Sequence, residues 1–438
     1  MSLARSFVIG FFFMLLCIPS GKAQTVTVNW NKVYQVIDGF GASDAFEVAP
    51  LTSAQAELFF SPTTGIGLSL LRTNVPEDGS CSSVNPTCAG EVSDMQIAIA
   101  YGAKVWSTPW SPPASMKTND AVNEGGYLLP GSYQAYATYL ANYVKSLKIL
   151  YGIDLYAVSV QNEPEGSHHW DSALWSSANY VTFISTYLGP TFTANGLTAL
   201  IVTPETSSFW DLPKYLDPTM TDSTTAAYVG IIATHDYSSN NSQPAYPLGH
   251  FGNKHLWQTE VSDFAPPDPS ITSALTYAQF INNWMTISNA NAWHYWCLIN
   301  PNDNNEGLMN SAGAVTKRLY MMGNYSKFVR PGFYRIDATM TPQNGVSVSS
   351  YKNSTSGALV IVVINQNSSS VSQRFALNGV STPSITPWIT SASFNLIQQP
   401  DVPITGGSFV YVLPAYSITS FVGVTTSAIP AGLTAKVH

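Results

Sequence analysis

Between residues 35 and 299 the chain repeats a short motif of hydrophobic and polar positions. Runs of seven or eight residues, rich in β-branched and aromatic side chains, recur as QVIDGFGA (35–42), GLSLLRT (67–73), AKVWSTP (103–109) and LYAVSVQN (155–162). They continue as ALIVTPE (199–205), GIIATHD (230–236), KHLWQTE (254–260) and AWHYWCLI (292–299). Such lengths and compositions suit strands buried on both faces. Residues 91–101, 131–150 and 272–290 instead place apolar residues every three or four positions, which predicts helices, with Ser132 and Thr272 as candidate N-caps. The segment between the fifth and sixth runs is poorly patterned. Eight strands with helical crossovers predict an α/β fold, a closed parallel (β/α)8 TIM barrel over residues 35–328. An open doubly wound sheet would share the alternation, but no phosphate-binding glycine loop supports it.

After residue 328 the pattern changes. GVSVSSYK, ALVIVVINQ, SQRFALNG, SFNLIQQ and SFVYVLPAYSITSFVGV are short strands separated by Asn, Gly, Pro and Ser. They predict an antiparallel β-sandwich side domain over 329–424, followed by a loose tail at 425–438. The alternating TVTVNW in 24–34 is assigned to the same side domain as an N-terminal strand. Residues 1–23 have a basic start at Arg5, an apolar run from Phe7 to Ile18 and small residues at Gly21 and Ala23. That is the layout of a secretory signal cut after Ala23, which predicts a protein secreted to the periplasm or medium. A membrane anchor is the competing reading, and the run is short for a bilayer span.

Composition narrows the function. The net charge is −8, only 10% of residues are charged, and Lys and Arg nowhere cluster, so a nucleic-acid partner is not expected. Aromatics reach 12% beside many Ser, Thr and Asn, which suits a neutral polysaccharide whose sugar faces stack on rings. A membrane partner is not expected, and the protein is expected to act as a monomer. Beyond the leader the chain holds Cys81, Cys88 and Cys297. Cys81 and Cys88 bracket a Ser/Asn/Pro loop and are candidates for a disulfide in an oxidising compartment, whereas Cys297 sits in an apolar run and reads as a buried thiol. Three cysteines and seven histidines show no metal-ligand spacing, so no metal and no cofactor are expected.

The candidate chemistry lies at strand ends. In VSVQNEPEG, Val158 and Val160 are strand residues and Pro164 cannot continue a central strand, so the strand stops with Glu163 at its tip. Glu260, in LWQTEVS, ends the seventh run in the same way. Barrels of this kind gather their active sites at the C-terminal ends of the strands. Either glutamate alone would serve as well for a helix cap or an ion pair. Two at one barrel mouth are what glycoside hydrolysis requires: one protonates the leaving oxygen, and the other attacks the anomeric carbon or activates water.

Several motifs in order resemble glycoside hydrolase family 30, the group of retaining β-glycosidases that includes bacterial xylanases and glucosylceramidases. IDGFGAS resembles its first strand, STPWSPPASMKTND its third, VQNEPE its acid/base motif, WQTEVS its nucleophile motif and YSKFVRPGFYRIDAT the return into its side domain. The resemblance implies Glu163 as acid/base and Glu260 as nucleophile. The acid must stay protonated near neutral pH, and a neighbouring carboxylate is expected to raise its pKa. Arg72 resembles the family's arginine that pairs with the nucleophile, and Asn162 the asparagine that bonds the sugar 2-OH. Trp110 and Trp296 resemble sugar-stacking rings, and His235 and Tyr237 a pair beside the nucleophile. His168, His169 and Trp170 follow the acid/base and are placed to line the leaving-group side. Glu165, past Pro164, is expected to be a loop residue.

FVRPG and RIDAT look most like the bacterial xylanase branch, many of whose members recognise a glucuronic-acid branch through a basic residue after strand eight. Here that loop, residues 299–309, has Asp303 and Glu306 and no Lys or Arg; Lys317 and Arg318 lie just beyond. The expectation is therefore an endo-β-1,4-xylanase that does not depend on glucuronate. Other family activities (β-glucosidase or glucosylceramidase, β-1,6-glucanase, β-fucosidase) and a non-catalytic carbohydrate-binding protein remain alternatives.

Overall fold

The computed structural model of the chain describes residues 24–46, 49–77, 86–237, 254–302 and 304–426. The leader, Cys81, Asp303, the side chain of Cys88 and the tail from 427 lie outside the described residues. Among the described residues no helix is long and apolar enough to cross a membrane.

Among the described residues the first element is β1 (Val26–Val36), after which the chain enters the barrel. The barrel strands are β2 (Gly39–Ser43), β3 (Leu70–Asn74), β4 (Lys104–Thr108), β5 (Ala157–Ser159), β6 (Leu200–Thr206), β7 (Val229–Thr234), β8 (His255–Gln258) and β9 (Ala292–Asn300). All pair in parallel, and β9 bonds both β8 and β2, which closes the ring. A short β10 (Gly307–Asn310) extends the far end of β9. The first predicted strand is thus two elements: Val36 still pairs with the side sheet, and the barrel begins only at Gly39. Between them Asp38 accepts from the Trp257 indole at 2.7 Å, tying the entering chain to the barrel floor. Gly41 is fixed by space, since a Cβ there would lie 2.5 Å from the His294 ring and 2.7 Å from the Leu70 carbonyl.

The crossovers are α1 (Ser53–Phe60), α2 (Pro86–Ala100), α3 (Tyr133–Tyr151), then α4 (Ser177–Thr182) and α5 (Gly189–Ala194) joined by a π-helical turn. α6 (Leu212–Thr221), α7 (Ser223–Tyr228), α8 (Ile271–Thr286) and α9 (Lys317–Ser326) complete the set. α2 starts five residues before the predicted onset, with Pro86 in its first turn where a missing N–H costs nothing. α3 ends on Gly152 at φ 71°, a left-handed cap. Ser132 makes no side-chain capping bond. At α8 the cap is Ser270, whose hydroxyl accepts from the Thr272 N–H, so Thr272 is already inside the helix. α6 carries Pro218 internally, which interrupts the helical pattern of that segment. Among the described residues, no helix crosses from β7 to β8.

Below the mouth, Leu70, Trp106, Ala157, Val202, Ile231, Ala233, Trp257 and Ala292 fill the barrel interior. The Trp106 indole donates to His294 at 3.2 Å, and burial pushes that imidazole down to about 3, so it stays neutral as an acceptor.

The remaining strands are β11 (Tyr334–Ala338), β12 (Val346–Asn353), β13 (Ala358–Asn365), β14 (Val371–Asn378), β15 (Ser384–Thr390), β16 (Ile397–Gln398), β17 (Val402–Pro403), β18 (Ser408–Leu413) and β19 (Ser417–Val424). With β1 they form one sheet, ordered β16–β15–β19–β13–β12–β11–β1–β14–β18, antiparallel throughout except for the β1–β14 pair. Phe375 on β14 and Phe421 on β19 lie far apart in that order, yet their rings are 5.2 Å apart. The sheet therefore folds over on itself into a sandwich. Asn324 of α9 bonds the Trp388 carbonyl and the Ser420 hydroxyl, fixing this domain against the barrel.

Candidate active site

The two glutamates meet where the strand pattern placed them. Glu163 is 7% exposed and Glu260 6%. An oxygen of each and a ring nitrogen of His235 lie within 4.8 Å of one another. β5 stops at Ser159, earlier than its sequence run, and Glu163 is reached through a turn in which it adopts φ 45°. Its N–H donates to the Glu205 carbonyl at 3.0 Å, which holds that left-handed backbone.

Arg72, fully buried in the middle of β3, organises the floor. Its guanidinium bonds the Glu260 carboxylate, donates to Asn162 Oδ1 at 2.6 Å and pairs with Glu205 at 2.8 Å. It also lies 4.5 Å from the Trp110 ring centre and 5.7 Å from that of Trp296. Burial alone would lower its pKa, but Glu205 and Glu260 outweigh that, so the cation persists. Taking Asn162 Oδ1 as acceptor leaves the Nδ2 end of that amide as its donor. Tyr237 donates to Glu260 Oε1 at 2.7 Å, so both oxygens of Glu260 are held. Trp110 and Trp296 sit 5.8 Å apart, and Phe46 meets Trp110 edge-on at 4.9 Å.

Glu205 is the site residue that sequence reasoning missed. It is fully buried at φ 61°, pairs with Arg72 and accepts from the Thr108 hydroxyl at 3.1 Å. Burial pushes its carboxyl up, but Arg72 and His235 bring it below the usual range. The signal is in the sequence, for Glu205 ends the fifth run, but glycoside hydrolysis needs only two carboxylates and the local pattern does not call for a third.

Glu163 is bracketed by histidines. His235, fully buried, places Nδ1 3.0 Å from Oε1, and His168 places Nε2 3.3 Å from Oε2. His235 lies among three carboxylates, 3.7 Å from Glu205 and 3.8 Å from Glu260, which overcome burial and raise it to about 10. Here the expectation for the acid reverses. Burial pushes Glu163 up, but His168 and His235 outweigh it and bring it to about 2, whereas burial holds Glu260 above its ordinary value. The neighbouring carboxylate does repel, but two imidazoles in direct contact are closer. Glu163, His235 and Glu260 have the spacing of a metal-ligand set. Arg72 on Glu260 and the imidazolium between the glutamates already supply the positive charge an ion would bring.

Trp170 is 43% exposed and stacks on His168 at 4.4 Å with 6° between planes. Glu165 turns away from the site to accept from the Ser207 N–H and hydroxyl, at 2.6 and 2.7 Å. Beyond β9, Glu306 accepts from Asn304 at 2.7 Å and so folds into its own loop. Arg318 is buried on the Asp268 and Gly307 carbonyls, and Lys317 reaches Phe394 and Asn395 of the side sheet. Cys297 donates to the Glu306 carbonyl at 3.2 Å.

Comparison with known proteins places this geometry. Residues 91–265 match the glycosyl hydrolase family 30 TIM-barrel domain, and 332–421 the family 30 beta sandwich domain. Glucuronoxylanase XynC of Bacillus subtilis is 36% identical over 413 residues, covering 91% of this chain and 92% of its own. The crystal structure of the family 30 subfamily 8 xylanase Xyn30A from Clostridium acetobutylicum superposes with TM-score 0.82 at 34% identity, over 91% of this chain and 99% of that one. A family 30 endoxylanase from Clostridium papyrosolvens gives 0.79 at 33%, over 91% and 100%. With both domain models matched in order and a relative this similar along nearly its whole length, the chain belongs to glycoside hydrolase family 30 and is a retaining glycoside hydrolase.

Proposed function

We propose that the protein is a secreted endo-β-1,4-xylanase that does not require glucuronate branches, with Glu163 as acid/base and Glu260 as nucleophile. Glu260 suits the nucleophile because Arg72 and Tyr237 fix both its oxygens and leave it no freedom to rotate. Its glycosyl ester would form beside Trp110 and Trp296, with the Asn162 amide at hand for the sugar 2-OH, a contact that strengthens in the transition state. Oxygens within 4.8 Å suit direct attack better than an interposed water, for which the carboxyls stand roughly 6.5–9.5 Å apart. The xylan assignment draws on the xylanase relatives, and secretion on the leader-like residues 1–23.

Independence from glucuronate rests on one observation. Among the described residues of the loops that follow the barrel strands, the lysines and arginines are Lys117 and Lys254, and Lys254 bonds the Val229 carbonyl at the opposite end of β7, which leaves Lys117. It is 3% exposed, and its ammonium is spent on Ser111, Val122 and Ser172. A carboxylate on the substrate gains charge-assisted bonds only from a cation that can reach it, and acidic rim loops repel it otherwise. The second reading, a branch-dependent enzyme, is favoured by the name of the Bacillus relative. Hydrolysis of unbranched xylo-oligosaccharides and of glucuronoxylan, with products sized and sequenced, separates the two. Comparable kcat/KM on both is expected; cleavage at a fixed distance from every acid branch would overturn the assignment, and inactivity on both would remove xylan.

A further inference from the structure

We propose that His168 is a displaceable proton carrier for Glu163, which hands over its proton as the leaving-group sugar takes its place on the face of Trp170. The inference rests on Glu163 being the acid/base.

The two oxygens of Glu163 are not equivalent. Oε1 faces His235, which is fully buried and fixed among three carboxylates. Oε2 faces His168, whose side chain is 28% exposed. At 3.3 Å the His168 Nε2 is buried but not aligned for a hydrogen bond, so it sits against Glu163 without being locked there. A glycosidic oxygen must come within hydrogen-bond reach of a carboxyl oxygen to be protonated. With Oε1 walled off, the approach is to Oε2, through the position His168 occupies.

Charge bookkeeping in the buried site makes the displacement chemically useful. Glu163, Glu205 and Glu260 are three carboxylates facing two buried cations, Arg72 and His235. A protonated His168 is the third positive charge, and contact with Glu163 favours that protonated form. In this state Glu163 is ionised and has no proton to give. If the imidazolium left with its charge, three desolvated carboxylates would face two cations. Transfer before departure avoids this: the Nε2–H bond breaks, an O–H bond forms at Oε2, and a neutral imidazole swings out. Glu163 takes the proton rather than Glu205 or Glu260, because both of those are paired with Arg72 and Glu163 is not.

The loop is built for such a ring. A Cβ at Gly166 would lie 2.1 Å from His168 Nε2, so glycine makes the room the imidazole uses. Behind the ring lies the parallel, part-exposed indole of Trp170, a face suited to the C–H face of a sugar once His168 leaves. The charged groups around His168 are Glu163 and Glu165 on its own loop, with His169 and Asp171 beside it, and His235 across Glu163. On the facing β4–α3 loop are Glu124, whose N–H donates to the His168 carbonyl at 2.7 Å, and Lys117.

The test uses His168→Phe, which keeps the stack without the proton, and Gly166→Ala, which evicts the ring without altering it. Both should leave the melting temperature within a few degrees. On unactivated xylo-oligosaccharides kcat/KM should fall about tenfold or more, while an aryl glycoside with a good leaving group loses less than twofold. The basic limb of the His168→Phe pH profile should move at least one unit lower, because the proton must then reside on Glu163 beside His235. Trp170→Ala should raise KM for oligosaccharides with kcat nearly kept. An unmoved basic limb, or equal loss on both substrate types, overturns the proposal. Glu163→Ala is the separate control: it should lose activity mainly on poor leaving groups and be rescued by azide. If it is not, the acid/base assignment fails; if it is, and His168→Phe behaves as wild type, only the proton carrier fails.

Discussion

The barrel mouth and the side sheet build their buried interiors in opposite ways. The side sheet encloses aliphatic and phenylalanine side chains, with Phe375 stacked on Phe409 at 4.6 Å and both against Phe421. The mouth encloses Arg72, His235 and three glutamates, two of them on left-handed backbone. Apolar burial stabilises in proportion to area and needs no particular partner. Buried charges stabilise only as a complete set, and removing one member leaves the others desolvated and unpaired. One region can therefore be weakened without touching chemistry, and the other loses chemistry first.

The sharpest break should come from Glu260→Gln. Nearly isosteric, it keeps the Tyr237 contact but cannot form the ester, and kcat should fall by about 10^4 or more in steady-state assays. Azide rescue giving an adduct of retained configuration at this variant would instead mean that the two glutamates have exchanged roles.

Phe421→Ala probes the other side. Emptying a fully buried ring position should cost about 3–5 kcal/mol in denaturant titration. kcat measured where the protein is folded should change less than twofold. A large loss of kcat at unchanged stability would show that the sheet is coupled to the site.

Glu205→Gln sharpens the contrast, because Glu205 is as buried as Phe421 but belongs to the charge set. Losing its charge beside Arg72 and His235 should lower kcat on the order of 10- to 100-fold, the equivalent of one or two pKa units of interaction. The fall should come with a shifted pH profile; an unchanged profile would reduce Glu205 to scaffold.

The smallest effect concerns Glu91 on α2, which accepts the Phe46 and Asn74 N–H groups and is pushed up to about 8, mainly by burial. A carboxyl raised in the folded state contributes stability that is fully present below its unfolded pKa and is lost as pH rises through the folded one. Thermal stability should thus decline by about 2–4 °C between pH 6 and 9, and Glu91→Gln should flatten that slope. A wild-type melting temperature level across that window would show that the group is ionised throughout.

Local pattern determined a good deal by itself. Period-two and apolar runs located the eight barrel strands, and the broken ends of two of them located Glu163 and Glu260, because burial periodicity and a ladder-ending proline are properties of neighbouring residues in the chain. What pattern could not give was assembled across the fold. The parallel β1–β14 pair, the split between Val36 and Gly39, and the sheet folding that brings Phe375 to Phe421 depend on contacts between segments hundreds of positions apart or strands far along the sheet. The ionisation of the site was hidden for the same reason. Glu163 was expected to be held up by another carboxylate, yet His235 reaches it from β7 and His168 from its own loop, and proximity outweighs the more distant repulsion. A pKa is set by the charges within a few ångströms, and only the tertiary structure decides which residues those are.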